Sequence, residues 1–238
     1  MSLDTLSWDS KFFKMNVGSY QDTCPNSAWT IPSRILDFDL VYLNFFCDQD
    51  ECCLPSIDHT FDAGTKLTFS LSLSEAMLSR MSFPNIRQVC QPSLTLKNLV
   101  LLSGHKSRFK QDPGFSEKQF RKLYLRWMTN CLDANDKTKV LGYFINNSLS
   151  GFITVESTSF LKCRIGLVAV APEHQGKGIG NQLILGAIAT AQNFGASSLT
   201  VQTQGDNHPA IQTYINAGFK LTSRCKQLHW WNPTQRSR

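Results

Sequence analysis

Long apolar runs are missing from this chain. No segment approaches the roughly eighteen uninterrupted apolar residues that a membrane-crossing helix needs, so no membrane insertion is expected. The opening Met-Ser-Leu-Asp-Thr-Leu-Ser-Trp-Asp lacks a basic start and an apolar segment, so it does not read as a secretory signal. There is no Cys-x-x-Cys pair, which excludes the common zinc and dithiol motifs, and the histidines show no metal-like spacing. The eight cysteines, Cys24, Cys47, Cys52, Cys53, Cys90, Cys131, Cys163 and Cys225, are strewn across a chain too long to need staples. A cytoplasmic, reducing environment fits these absences. Missing too is any run of Lys and Arg interleaved with aromatics. The net charge of +6 therefore suits small polyanionic ligands and gives no nucleic-acid stripe.

What is present is the composition of an ordinary globular protein, 238 residues with 42% hydrophobic and 18% charged. In Lys66–Leu73 the apolar Leu67, Phe69, Leu71 and Leu73 alternate with Thr68, Ser70 and Ser72, the period of a strand with one wet face. Leu40–Cys47 reads as another strand, and Asp48–Asp62 as a polar loop or short helix. Pro84 and Pro92 punctuate an aperiodic stretch, which suggests a small β-rich unit over 1–92 and a second domain over 93–238. Leu94–Leu102 suggests a helix. Ser116 with Gln119 forms a capping box opening another, with Phe120, Leu123, Tyr124, Trp127 and Met128 on one face. Strands follow at Val140–Ile145 and Leu149–Val155, joined through Asn146-Asn147-Ser148, and at Arg164–Ala171.

The densest signal is Val168–Gly180, Val-Ala-Val-Ala-Pro-Glu-His-Gln-Gly-Lys-Gly-Ile-Gly. It reads as a strand, a glycine-rich loop and a helix whose Ile179, Leu183, Ile184, Ala187, Ile188 and Ala191 form one apolar stripe. Gly176, Gly178 and Gly180 bare the backbone where first-turn N–H groups lack helical partners, and Lys177 adds positive charge. A pyrophosphate seat is the physical expectation, although such a turn can also be purely structural. A phosphate loop of the Gly-Lys-Ser/Thr type is excluded, because Gly178 follows Lys177. A dinucleotide fold is disfavoured, because the glycines are spaced two and two and no carboxylate stands near Ala196–Thr200. Beyond the helix, Gly195 can take the left-handed conformation, Leu199 and Val201 sit in a strand, and Asp206-Asn207-His208-Pro209 caps a helix ending at Gly218. Phe219–Trp230 reads as a closing strand.

Gln175-Gly-Lys-Gly-Ile-Gly180, the run Asn207–Tyr214 and this order of elements resemble the GNAT acetyltransferases over roughly residues 94–231. Shorter runs resemble the TDP-fucosamine acetyltransferase group: Leu6–Phe13, Ser107–Phe109, Arg121–Met128, Arg164–Leu167 and Asn207–Gly218. The resemblance implies an α/β (α+β) GNAT fold, a mixed central sheet with helices on both faces, beside a small N-terminal β-rich layer. It implies acetyl-CoA as co-substrate and no metal. Leu167, Val168, Ala169 and Val170 would hold the pantetheine arm, one N–H of this strand polarising the thioester carbonyl. Gln175, Gly176, Lys177, Gly178, Ile179 and Gly180 would hold the pyrophosphate, with Asn207 on the pantetheine or simply capping its helix. Tyr214 would be the general acid that protonates the departing thiolate, or else a half-buried stripe residue. Glu156 or a water chain would collect the amine proton, and no cysteine nucleophile is required. Arg108, Phe109, Arg121 and Tyr124 would meet the acceptor, Arg at a diphosphate and a ring at thymine, or else belong to surface and core. The reaction expected is direct N-acetylation of a dTDP-linked 4-amino-dideoxy sugar destined for a surface polysaccharide such as O-antigen. Acetylation of a peptide N-terminus or another small amine, or a non-catalytic acyl-CoA sensor, are the alternatives; a homodimer is compatible with all three.

Overall fold

The computed structural model describes residues 3–23, 30–47, 56–73 and 83–234, with the backbone alone at Asn135. Cys24, Cys52, Cys53, most of the stretch between Cys47 and Ile57, and residues 74–82 before the expected domain boundary lie outside them. The elements in chain order are β1 (Leu3–Thr5), α1 (Ser7–Phe13), β2 (Val17–Thr23), β3 (Leu40–Cys47), β4 (Thr60–Ser72) and β5 (Ile86–Gln88). Next come α2 (Leu94–Ser103), α3 (Arg108–Gln111), α4 (Glu117–Asp133), β6 (Thr138–Ile145), β7 (Ser148–Ser159) and β8 (Lys162–Val170). The chain closes with α5 (Ile179–Asn193), β9 (Ser198–Gln204), α6 (His208–Asn216) and β10 (Lys220–Trp231).

Among the described residues all strands join one ten-stranded sheet in the order β1-β2-β3-β10-β4-β9-β8-β7-β6-β5. Only β2–β3 and β8–β9 are parallel pairs. The boundary expected near residue 92 is therefore a feature of the chain and not of the sheet. β4, from the N-terminal stretch, hydrogen-bonds to β9 on one side and to β10 on the other. Its apolar Phe69 and Leu71 are buried against the same core as α5, as their alternation requires.

Local sequence explains most of the elements. The Ser116–Gln119 capping box is formed in both directions at the start of α4. Asn146 and Asn147 both take positive φ, 47° and 64°, the backbone of a tight two-residue hairpin turn between β6 and β7. Helices lie on both faces. α5 buries the predicted stripe against one face with β9 and Tyr214 of α6, while α1 to α4 cover the other with Phe13, Phe109, Phe120 and Leu123.

The feature that positions everything else is a bulge in β8. Ile153 pairs with Val168 and Val155 with Ile165, so Thr154 alone stands opposite both Gly166 and Leu167. An extra residue on one strand bends it and sharpens its twist. The last β8–β9 pair is Ile165 with Val201, while β9 continues against β4 as far as Gln204. Beyond the bulge the two strands part. Thr154 Oγ1 accepts the Leu167 N–H at 2.9 Å, which satisfies a group that the interrupted ladder would leave bare.

Gly166 makes this geometry feasible, because a β-carbon there would fall on the Glu156 carboxylate and against Thr154 Oγ1. Replacing Gly166 with Ala is expected to lower stability by about 1–3 kcal/mol, the usual cost of overpacking. A denaturant titration comparing the two proteins checks this, and an unchanged midpoint would show that the bulge absorbs a methyl group.

Candidate active site

Beyond the bulge β8 borders a cavity of about 660 Å³. Val168, Ala169 and Val170 form one wall, the loop and first turn of α5 another, and Asn207, Thr213 and Tyr214 a third. Amide directions alternate along a strand. The N–H of Ala171 reaches Ser150 O at 2.8 Å and that of Leu167 reaches Thr154 Oγ1, both toward β7. The N–H groups of Val168 and Val170 consequently face the gap. They are the backbone donors there, whereas Leu167 turns its side chain into the core beneath α2 and α4.

In the loop Gly176 and Gly178 take φ of 73° and 77°, and a β-carbon at either would meet nothing within 4 Å. These glycines are required by backbone conformation, not by crowding. The Gln175 side chain donates to Val170 O at 3.0 Å and Lys177 Nζ to Glu173 O at 2.9 Å, so both residues brace the loop through main-chain oxygens. Lys177 is not part of the cavity wall, whereas Gln175, Gly176, Gly178, Ile179 and Gly180 are. Such a string of amides at a helix N-terminus suits a diphosphate.

Asn207 adopts no side-chain cap on α6; its amide instead donates to Thr203 Oγ1 at 3.1 Å, at the end of β9. Tyr214 is buried to 3% exposure, its ring packed against Phe69 and Phe219. Among the described residues none hydrogen-bonds its hydroxyl, and burial pushes its pKa above the ordinary phenol value. It therefore keeps its proton at neutral pH. His105 and His174 also line this cavity, with His174 Nδ1 buried and unpartnered.

Glu156 lies elsewhere. Its carboxylate pairs with Arg164 at 2.6 Å and lines a separate cavity with Trp127, Asn130, Cys131 and Gln202. Cys131 beside it is pushed up to about 12 by burial and by the Glu156 charge, so it stays a thiol. Cys90, Cys131, Cys163 and Cys225 are free thiols, and Cys163 and Cys225 are buried.

Trp127 and Gln202 also border a third cavity, of about 410 Å³, which holds the side chains predicted for the acceptor. Arg108, Phe109 and Tyr124 line it together with Trp8, Asp9 and Lys66. Arg108 is stacked over Tyr42 at 3.9 Å and Phe109 at 4.6 Å. Phe109 and Tyr124 are buried core residues as well as cavity wall, and Arg121 is exposed on α4 and does not line the cavity.

Behind Arg108 stands a polar chain that the sequence did not reveal. His229 on β10 is 0% exposed and Asp112 is 1% exposed. Asp112 Oδ2 lies 2.6 Å from His229 Nδ1 and accepts from Trp231 Nε1 at 2.9 Å, while Oδ1 accepts from Gly114 N. His229 Nε2 lies 3.3 Å from Arg108 Nη1. A carboxylate can only accept and a guanidinium can only donate, so the ring carries its proton on Nδ1 and is neutral. Burial lowers the His229 pKa to about 4, helped by the Arg108 charge and opposed by Asp112. Burial works to raise Asp112, but its hydrogen bonds outweigh that and hold it below the usual carboxylate value. Histidine at 229 sits among Leu228, Trp230 and Trp231, and nothing in that local pattern signals Asp112 as its partner.

Several known proteins resemble this chain. The model of the acetyltransferase (GNAT) family matches residues 104–219. The dTDP-fucosamine acetyltransferase of Escherichia coli O6:H1 is 24% identical over 235 residues, which cover 96% of this chain and 97% of that protein. A spore coat polysaccharide biosynthesis protein of Bacillus subtilis is 27% identical over 126 residues, covering 53% of this chain and 43% of that one. Among solved structures, a GCN5-related N-acetyltransferase from Sphaerobacter thermophilus has a TM-score of 0.52 at 13% identity, covering 80% of this chain and 59% of that one. That last likeness is one of fold.

The neutral His229 has a measurable consequence. Between its native value of about 4 and the unfolded histidine value near 6.5, the unfolded chain binds more protons than the native one. Stability therefore falls as pH drops through this window, by about 3 kcal/mol from this residue alone. In His229→Gln the loss of stability between pH 7 and pH 4.5 should be smaller than in the native chain, although the variant starts lower. Equal losses in chemical denaturation at the two pH values would contradict a neutral, buried His229.

Proposed function

We propose that this chain, which residues 104–219 make a member of the acetyltransferase (GNAT) family, acetylates the amino group of a dTDP-linked amino-dideoxy sugar. Transfer of acetyl from acetyl-CoA to an amine is the chemistry of that family, and this protein is an acetyl-CoA-dependent N-acetyltransferase. The finer reading is carried by one observation, that the likeness to dTDP-fucosamine acetyltransferase runs through almost the whole of both chains. It thus reaches into the N-terminal stretch that carries Tyr42 and Lys66, which support the arginine of the acceptor cavity and line that cavity. A shared transfer domain alone would not require that.

In this reading acetyl-CoA lies between β8 and β9 in the manner of an added strand. Its pantetheine amides meet Val168–Val170, and Asn207 offers its amide at the far edge. The pyrophosphate sits on the amides of Gln175–Gly180. An N–H of Val168 or Val170 polarises the thioester carbonyl, and these stabilise the oxyanion as it forms. The acceptor amine attacks directly, its nitrogen–carbon bond forming as the carbon–sulfur bond breaks. Tyr214 donates its phenolic proton to the departing thiolate. The amine proton leaves through water or toward Glu156, although the Arg164 pair already engages that carboxylate. Arg108 and the surrounding rings hold the nucleotide, and Arg121, exposed on α4, is set aside from the acceptor. A product of this kind belongs in the cytoplasm as a precursor of a surface polysaccharide.

The test is a panel of nucleotide-linked and free amino sugars incubated with acetyl-CoA, with free thiol release followed in time. Turnover of a dTDP-linked 4-amino sugar, and inhibition by TDP competitive with it, are expected. Turnover of peptide N-termini without effect of TDP would replace this acceptor with a peptide, and binding of acetyl-CoA with no turnover would favour a sensor.

Tyr214→Phe isolates the acid. Its kcat should fall by about 10²–10⁴-fold, the usual contribution of a positioned proton donor, while calorimetry gives an unchanged acetyl-CoA affinity. An unchanged kcat would remove Tyr214 from the chemistry.

A further inference from the structure

The acceptor cavity holds a charge imbalance that the protein itself does not resolve. Its walls carry two cations, Lys66 and Arg108, against one carboxylate, Asp9. Among the described residues Lys66 makes no ion pair, whereas Lys226 on the adjoining strand is paired with Asp62. Asp9 makes no ion pair with Arg108 either, and accepts from the Tyr42 hydroxyl at 3.4 Å. Both cations are nonetheless half-buried, and burial depresses the pKa of each, with Cys225 opposing the effect on Lys66 and the Arg108 charge adding to it. Charges in that condition gain most from an anion placed between them.

We propose that Lys66 and Arg108 together form a seat for a phosphoryl group of the acceptor, so that the enzyme selects a diphosphate-linked amine over the free amine. The inference rests on the acetyl-transfer reading above and adds Lys66 to it. Both cations are held for such a task. Lys66 springs from a strand flanked on both sides, in register with Gln204 of β9 and Cys225 of β10. Arg108 rests against the Tyr42 and Phe109 rings, which meet edge to face, and His229 takes one N–H of its Nη1, leaving the rest of the guanidinium fork for a ligand. An arginine fork can grip two phosphate oxygens while a lysine acts as a point charge on a third.

A second observation marks the cavity as built for a polar ligand. Gln204 Oε1, in its wall, is buried without a hydrogen-bond partner. A buried acceptor left unpaired is costly, and a turn of this side chain from Gly64 toward the cavity would let a ligand hydroxyl or imide N–H satisfy it. The single carboxylate, Asp9, leaves the seat net positive.

The experiment uses the full chain saturated with CoA, so that the glycine loop is already filled, and measures binding of TDP and of inorganic pyrophosphate by calorimetry. Native protein should bind both. Lys66→Met should weaken each at least tenfold with unchanged CoA affinity, and Lys66→Arg should restore most of the loss. Steady-state kinetics should show the same pattern, the KM for a dTDP-linked acceptor rising while that for acetyl-CoA holds. Equal pyrophosphate affinity in the native and Lys66→Met proteins would overturn the seat. So would a methionine defect that Lys66→Arg fails to repair. Unchanged acceptor KM with continued turnover of the nucleotide sugar would dismiss the seat while sparing the proposed reaction. Lys66-dependent pyrophosphate binding without turnover of any nucleotide sugar would keep the seat and dismiss the sugar.

Discussion

A single unpaired residue in β8 governs the architecture. Because Thr154 faces both Gly166 and Leu167, β8 bends away from β9 just after their last pair, Ile165 with Val201. β8 instead presents Val168–Val170 to one cavity, while the end of β9 lines another. Water or a ligand must then satisfy the Val168 and Val170 amides, since β7 takes those of Leu167 and Ala171. Everything proposed about acyl transfer follows from that opened edge. The glycine loop lies beyond its end and Tyr214 beside it.

The two faces of the sheet divide the labour. On the α5–α6 side an apolar core carries the loop and Tyr214, and it holds the phenol dry enough to stay protonated. On the α1–α4 side the cavity is polar, and its arginine is aligned from behind by a neutral histidine with its tautomer set by Asp112. Such a chain works only if each member is satisfied, because a buried polar network with one missing partner costs more than an apolar core. Trp231 and Gly114 complete Asp112. Arg108 is thus held in place before any ligand arrives, which would lower the ordering cost of binding the acceptor proposed for this cavity.

Much of this was legible in the sequence. The α5 stripe, the Ser116–Gln119 box, the Asn-Asn hairpin and the glycine loop are local patterns, and local patterns survive into the fold because they are short-range physics. Tyr214 and the loop are brought to one cavity as their order implied. The division at residue 92 was less informative, since β4 inserts between β9 and β10, a long-range pairing that no local period encodes. Lys66 stood on the polar face of a recognised strand, and that face read as wet surface, not as the floor of a cavity. Asp112 and His229 lie 117 positions apart, and the bulge depends on register between β7 and β8. Glu156 lies on the strand beside the site, but its carboxylate is bound to Arg164, and Arg121, one turn before the buried Tyr124, is exposed and lines neither cavity.

Amide hydrogen exchange with and without CoA tests the opened edge most directly. Leu167, bonded to Thr154, and Ala171, bonded to Ser150, should already be protected in the free protein. Val168 and Val170 should exchange quickly when free and slow sharply when CoA is bound. Val168 and Val170 amides protected in the free protein, or unchanged on binding, would contradict the account, because the gap between β8 and β9 would then not be where the cofactor lies.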